Sequence, residues 1–384
     1  MIKQLRNVKW KHFINYIVVG VALIVFAALR LTEQDVARST QFLLQNISIA
    51  MILAISLNLV VGYLGELSLG HAGFMCVGAY LGGKISSLLE ATLGNGPLTL
   101  LISLIVGGLC AAACGVIIGL PALRLKGDYL AIVTLAFGEI VKVIFQNAAP
   151  DVFGGTLGLP TPKYSRHELY IYGFALVLIT LFVIQNLMRS RHGRAITAIR
   201  DNEIAARATG INITKYKLMA FTISAFFAGI AGVLFSYTQS SVQAVKFGYN
   251  YSIEILVMVV LGGMGNITGS LVSATLITYL NTALATKLEG DSAVLKDMVY
   301  ALILITIIIY RNAPGLKGFR EKYNFKKLLG LLHKRRQDPA YVKDDEAAWD
   351  RVPTKIHMDE ILSVDVSVDV SKSTLTPDKP SKED

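Results

Sequence analysis

The sequence predicts an all-α fold: a polytopic transmembrane helix bundle of about ten membrane segments, two of them forming a broken or re-entrant hairpin. Three observations predict it. The 384 residues are 53% hydrophobic and only 17% charged, whereas soluble chains are about 25% charged. The charge is also segregated, because residues 311–384 hold 28 of the 64 acidic and basic residues. Uncharged apolar runs close to the ~20 residues that span the hydrocarbon core recur through the first 310 residues. That distribution excludes a soluble globular chain with a charged tail.

The elements follow in order. Residues 1–12 carry Lys3, Arg6, Lys9 and Lys11 ahead of an apolar run at 13–29. Arg30 and Leu31 stand where a cleavable signal would have small residues, so the run reads as a retained first span. Runs 41–61, 98–120, 169–188 and 218–239 are clear spans. Two weaker ones contain charge, 67–89 with His71 and Lys84, and 129–147 with Glu139 and Lys142. Between 255 and 286 lie 32 uncharged residues, about 48 Å as one helix and longer than a bilayer is thick. Gly262, Gly263, Gly265 and Asn266 interrupt that stretch, which therefore reads as a hairpin whose first arm is short. Residues 297–310 complete a transmembrane domain at 13–310.

Ten crossings place both termini on one side. The N-terminus and loops 121–128, 189–217 and 311–336 hold 22 Lys and Arg against 7 in the opposite loops, which makes the termini cytoplasmic by the positive-inside rule. The net charge of +10 therefore bears on orientation in a lipid bilayer, and no nucleic-acid partner is expected. Loop 148–168, rich in Gly and Pro, reads as an outward turn region. The basic segment 311–336 gives way at 337–384 to a tail with 12 acidic and 6 basic residues and little apolar mass, expected to be disordered. Within it, 361–370 alternates like a lone strand, which is marginal in water.

No catalytic or metal-binding pattern emerges. Cys76, Cys110 and Cys114 lie in apolar stretches without ligand spacing. Gly78–Ile85 has the glycines and the lysine of a phosphate loop, but Ile85 replaces the Ser or Thr that holds magnesium. It also lies within a span, where backbone amides are already bonded. The chain is expected to bind no cofactor of its own and to be no enzyme.

Small residues four apart, Gly115 with Gly119, Ala225 with Gly229, and Ala228 with Gly232, read as helix-packing surfaces. Segments 62–73 and 261–270 differ, because glycine mixed with Asn, Ser and Thr is too dense for stable helix. Broken helices at membrane depth point to a transport path, with Ser68, His71, Gly263, Gly265 and Asn266 as candidates. The two segments lie some 197 residues apart, a spacing that suggests internal duplication, parallel if both face the cytoplasm and inverted if one is re-entrant.

The ionisable residues at depth keep two readings each. Glu139 either belongs to the path or forms a structural pair with Lys142, and His71 is either a hydrogen-bonded packing residue or part of the path. Glu66, at the inner boundary, is expected to be solvated. Loop 189–217 carries seven basic residues, Arg194 and Arg200 among them, and favours one helix from Gly193 to Thr209 with Gly210 as its stop. Such a helix could lie on anionic headgroups or dock a cytoplasmic partner.

Four long stretches, GYLGELSLGHAGFMCVGAY (62–80), GLPALRLKGDYLAIVTLAFGEI (119–140), GRAITAIRDNEIAARATGINITKYKLMAF (193–221) and LGGMGNITGS (261–270), occur in order. Through them the chain resembles, over about 40–315, the permease subunits of branched-chain amino acid ATP-binding cassette importers, the LivM type. The resemblance makes 189–217 the loop that docks on an ATPase. Glu203, Ala205, Ala206 and Gly210 stand for that loop's Glu-Ala-Ala and Gly, with Ile204 inserted and the usual Leu-Pro ending absent. It further implies a subunit of the bacterial cytoplasmic membrane that forms a path with a homologous permease. Two ATPase subunits carrying ATP and Mg, and an extracytoplasmic amino-acid-binding protein, would complete the importer. Its alternatives are a urea, amide or sugar permease of the same superfamily, and an ion-coupled secondary transporter using Glu139 and Lys142.

Overall fold

The computed structural model describes residues 37–287 except 95, 126 and 162–165, together with isolated positions at 16, 19–21, 23, 302 and 305. The expected segments 1–12, 13–29 and 297–310, the basic stretch 311–336 and the acidic tail 337–384, with its alternating 361–370, lie outside the described residues.

Helix α1, Arg38–Asn58, continues as a π-helical turn, Leu59–Leu64. It is the axis of the fold. Its most apolar window is 94% buried, as expected of a helix apolar on every side. It packs against α5 (Arg166–Arg189), α8 (Ile213–Thr238), α9 (Tyr249–Gly262) and α10 (Ile267–Lys287). A second group forms beside it from α2 (His71–Leu93), α3 (Pro97–Ala122), α4 (Asp128–Gln146) and the shared α8. Among the described residues, six helices are long and apolar enough to cross a membrane, namely α1 with its π turn, α2, α3, α5, α8 and α10. The 14 residues of α9 rise only about 21 Å, short of the ~30 Å hydrocarbon core.

The α2, α3 and α8 surfaces meet through small residues, as the spacing predicts. A Cβ at Gly78 would overlap the Gly229 backbone, and one at Gly232 would overlap the backbone of Met75. Gly115 faces the Ala225 methyl, and Gly229 faces Ala111 and Gly107. In lipid no hydrophobic drive holds helices together, so this close backbone approach supplies the attraction. The Gly78–Ile85 stretch sits inside α2, its amides committed to helix.

Two details depart from the sequence reading. Outside the helices, Leu159–Pro160 pairs antiparallel with Ser241–Val242, tying the Gly/Pro-rich loop 148–168 to the end of α8. The single helix expected over 193–209 is instead two, α6 (Arg191–Asp201) and α7 (Glu203–Ala208). Asn202 divides them, because it adopts an extended conformation and its Oδ1 accepts from the Ile204 and Ala205 amides, both at 3.0 Å. An Asn that caps the second helix ends the first. Ser190 caps α6 and Asn212 caps α8 in the same way. Gly210, at φ +84°, is the stop foreseen, with the Ile211 amide bonded back to the Ala206 carbonyl.

Candidate functional site

The two glycine-rich segments, distant in sequence, meet in space. The π-helical end of α1 carries Gly62 against the turn Gly263–Asn266 that joins α9 to α10. Gly263 and Gly265 have φ of +96° and +78°, a region that only glycine enters cheaply. Asn58, fully buried, ties the two together. Its Oδ1 accepts from the Gly265 amide at 2.9 Å and its Nδ2 donates to Ser270 Oγ at 3.1 Å. A Cβ on Gly62 would collide with both Asn58 Oδ1 and the Gly265 amide nitrogen. Asn266 closes the turn, its Oδ1 accepting from the Gly269 amide at 3.2 Å.

The non-helical stretch 65–70 and the first residues of α2 are held by side chains from three helices. The Leu69 amide donates to Thr134 Oγ1 of α4 at 3.0 Å, and the Ala72 amide to Ser252 Oγ of α9 at 3.2 Å. His71 begins α2, is 2% exposed, and bonds Ser56 Oγ of α1 through Nε2 at 2.9 Å. Ser68, also 2% exposed, keeps a buried Oγ with no partner. Unwound backbone, a buried imidazole and an orphan hydroxyl thus lie together between Gly65 and His71. Buried polar atoms are normally bonded, and the Ser68 hydroxyl is an exception among the described residues.

Arg200 of α6 reaches this region directly. Its Nη1 donates to the Gly62 carbonyl at 3.2 Å, while Nε and Nη2 hold Asp201 Oδ1 at 3.0 and 2.8 Å. A second tie lies beside it. Lys217, 3% exposed at the start of α8, donates to Glu66 at 2.5 Å and to Glu203 of α7 at 3.3 Å. Glu66 is therefore not solvated as expected, because folding brings it to a lysine 151 residues away that is itself shielded from water. Glu203 also receives Arg207 at 3.3 Å, one helical turn on. Of the other loop candidates, Ala206 is buried, whereas Arg194, Ala205 and Gly210 are exposed, with Ile204 81% exposed beside them.

Glu139 belongs to a different neighbourhood. It pairs with Lys142 on α4 and accepts from the Tyr249 amide at 2.8 Å, so it caps the start of α9. A carboxylate at a helix N-terminus meets unbonded amides and the positive end of the dipole. The structure thus gathers Ser68, His71, Gly263, Gly265, Asn266 and Arg200 at one end of the bundle and gives Glu139 partners on α4 and α9. Sequence reasoning missed Asn58, Lys217 and the cap Asn202. The signal for Asn58 was its position as an amide in an apolar span, where every polar group needs an internal partner.

Residues 39–308 match the family model described as branched-chain amino acid transport system, permease component. The chain belongs to this family. It is a membrane permease of the importer class and not an enzyme. The permease is 39% identical over 310 residues to the high-affinity branched-chain amino acid transport system permease protein LivM of Salmonella typhimurium, covering 72% of this chain and 70% of the relative. Against the Escherichia coli LivM protein it is 39% identical over 323 residues, 76% of this chain and 73% of the relative. The ribose import permease protein RbsC of Escherichia coli is more distant, 27% identical over 291 residues, 70% of this chain and 84% of the relative.

Proposed function

We propose that the permease imports branched-chain amino acids across the bacterial cytoplasmic membrane, lining the path together with a second, homologous permease. Two ATPase subunits supply the energy from ATP and Mg, and an extracytoplasmic binding protein delivers the substrate. The chain crosses about ten times, with α9 as the short arm of a broken hairpin and both termini cytoplasmic, an orientation supported by 22 basic residues against 7.

One observation carries the mechanism, the bond between Arg200 and the Gly62 carbonyl. The ATPases dock on α6 and α7, where Arg194, Ala205 and Gly210 are exposed and Ile204 projects. Closure of the ATPases on ATP moves that helix pair. Arg200 passes the movement to Gly62, and Asn58 passes it on to Gly265. Lys217, bound to Glu66 and Glu203, keeps α7 in step with α8 and with the stretch that follows Gly65. The gate consists of Ser68, His71, Gly263, Gly265 and Asn266, with neutral hydrogen bonds that rearrange without moving a charge through lipid. Glu139 and Lys142 hold the start of α9 in place.

The test is reconstitution of the permease pair and ATPases in proteoliposomes with loaded binding protein. ATP-dependent leucine uptake is expected. Leucine uptake by the permease alone, driven by a proton or sodium gradient, would overturn the reading in favour of a secondary transporter. ATP-dependent uptake of ribose or urea but not leucine would reassign the substrate.

A further inference from the structure

Helices α3 and α4 each present an exposed apolar face, and the two faces differ in charge. On α3 the exposed side chains include Leu101, Ile105, Leu109 and Ile117, and the helix contains no Asp, Glu, Lys or Arg. Such a surface suits lipid. On α4 the stripe Ile132, Ala136, Ile140 and Ile144, spaced about one turn apart, is exposed as well. It is flanked, however, by Glu139 and Lys142, whose side chains keep 29% and 20% of their surface exposed.

Depth makes this difference costly. The 19 residues of α4 rise about 28 Å, close to the ~30 Å of the hydrocarbon core. Glu139 lies about 17 Å from Asp128 and about 10 Å from Gln146 along the axis. Charged side chains at such depth almost always face protein or a water-filled cavity. A lysine that met lipid here would extend toward the nearer interface, at the Gln146 end. Lys142 turns the other way, because its ammonium donates to Glu139, one turn nearer the middle of the helix. Among the described residues Glu139 is its only partner, although an ammonium has three donors. The bond from the Tyr249 amide accounts for the carboxylate of Glu139 but not for the exposed flank of the pair. Tyr249 is itself exposed beside it, so the face extends from α4 onto the start of α9.

We infer that this α4–α9 face is where the second, homologous permease seats, and that the partner's helices close over Glu139 and Lys142. Ala136, a small residue between Ile132 and Ile140, admits a partner helix closely. The ion pair is neutral as a whole, so covering it buries no unpaired charge. The uncharged face of α3 stays in lipid.

The inference rests on the proposed pairing of two permeases, and the experiment separates the two. The full importer is expressed with different tags on this chain and on the second permease. A benzophenone amino acid replaces Ile140 of this chain, or Leu109 on α3 as a control. Failure of the wild-type second permease to co-purify with this chain would sink the pairing itself. With pairing present, irradiation of the membranes should give an adduct with the second permease from position 140 and none from position 109. An adduct between two copies of this chain, or no protein adduct from position 140, would overturn the assigned face. Ala136→Trp should lower the second permease recovered with this chain about tenfold, because the added ring lies in the contact. Ile105→Trp on α3 should leave that recovery unchanged. Equal recovery from the two variants would likewise count against the face, since a position that meets lipid tolerates the ring.

Discussion

Arg200 Nη1 donates to the carbonyl oxygen of Gly62 at 3.2 Å, joining residues 138 apart in sequence. This charge-assisted bond runs from a surface helix pair to the one π-helical turn among the described residues. Arg200→Ala should therefore uncouple the permease. Bonds to charged groups are worth about 1.5–3 kcal/mol, so leucine import per ATP should fall roughly tenfold or more while ATPase subunits still co-purify. Loss of co-purification in proportion to transport would show that Arg200 contacts the ATPase instead.

Lys217 is the most shielded charge of its group, 3% exposed against 13% for Glu66 and 21% for Glu203. Lys217→Met should lower the thermal unfolding temperature markedly, because breaking a buried pair costs about 3–5 kcal/mol by stranding the remaining charge. The triple variant Lys217→Met, Glu66→Gln, Glu203→Gln should regain most of that stability, measured by thermal scanning in detergent. Failure of the triple variant to recover would assign the loss to packing and not to stranded carboxylates.

Asn58 satisfies Gly265 and Ser270 at once. Asn58→Leu leaves the Gly265 amide without its acceptor, at a cost of about 1–3 kcal/mol, and adds bulk beside Gly62. The expected result is a lower unfolding temperature together with reduced import. Asn58→Asp keeps an acceptor for the Gly265 amide but loses the donor to Ser270 and buries a carboxylate, so it should also be damaging. An unchanged unfolding temperature and unchanged import in Asn58→Leu would remove Asn58 from its linking role.

Glu139→Gln tests the α4–α9 contact. Glutamine can still accept from the Tyr249 amide but no longer neutralises Lys142. Assembled protein should decrease while import per assembled complex stays constant, as quantified by fluorescence-detected size exclusion beside uptake. A selective loss of import would instead assign Glu139 to the path.

Helix packing offers a control. Gly232→Val forces a side chain into the backbone of Met75 and Ala79, an overpacking that typically costs about 1–3 kcal/mol. The variant should be poorly recovered from membranes. Gly96→Ala, with open space around it, should be recovered as wild type.

Much of the fold was legible because lipid dictates composition, so each apolar run that lies within the described residues became a helix near its expected bounds. The Gly263–Asn266 break was legible for the same reason, since helix tolerates Gly poorly. What stayed hidden depends on tertiary partners or on local capping. Lys217 and Glu66 look like separate solvated charges until folding brings them together. Asn202 is one polar residue in a helix-favouring stretch, and apolar periodicity carries no information about a cap. Asn58 is a single amide among aliphatics, and its two partners lie 207 and 212 residues away.

The sharing of Asn58 between two backbone breaks has a kinetic meaning. On the proposed mechanism one carboxamide ties the π-helical end of α1 to the turn between α9 and α10, so leakage through an idle importer is limited by the same two bonds that the stroke of the ATPases has to rearrange.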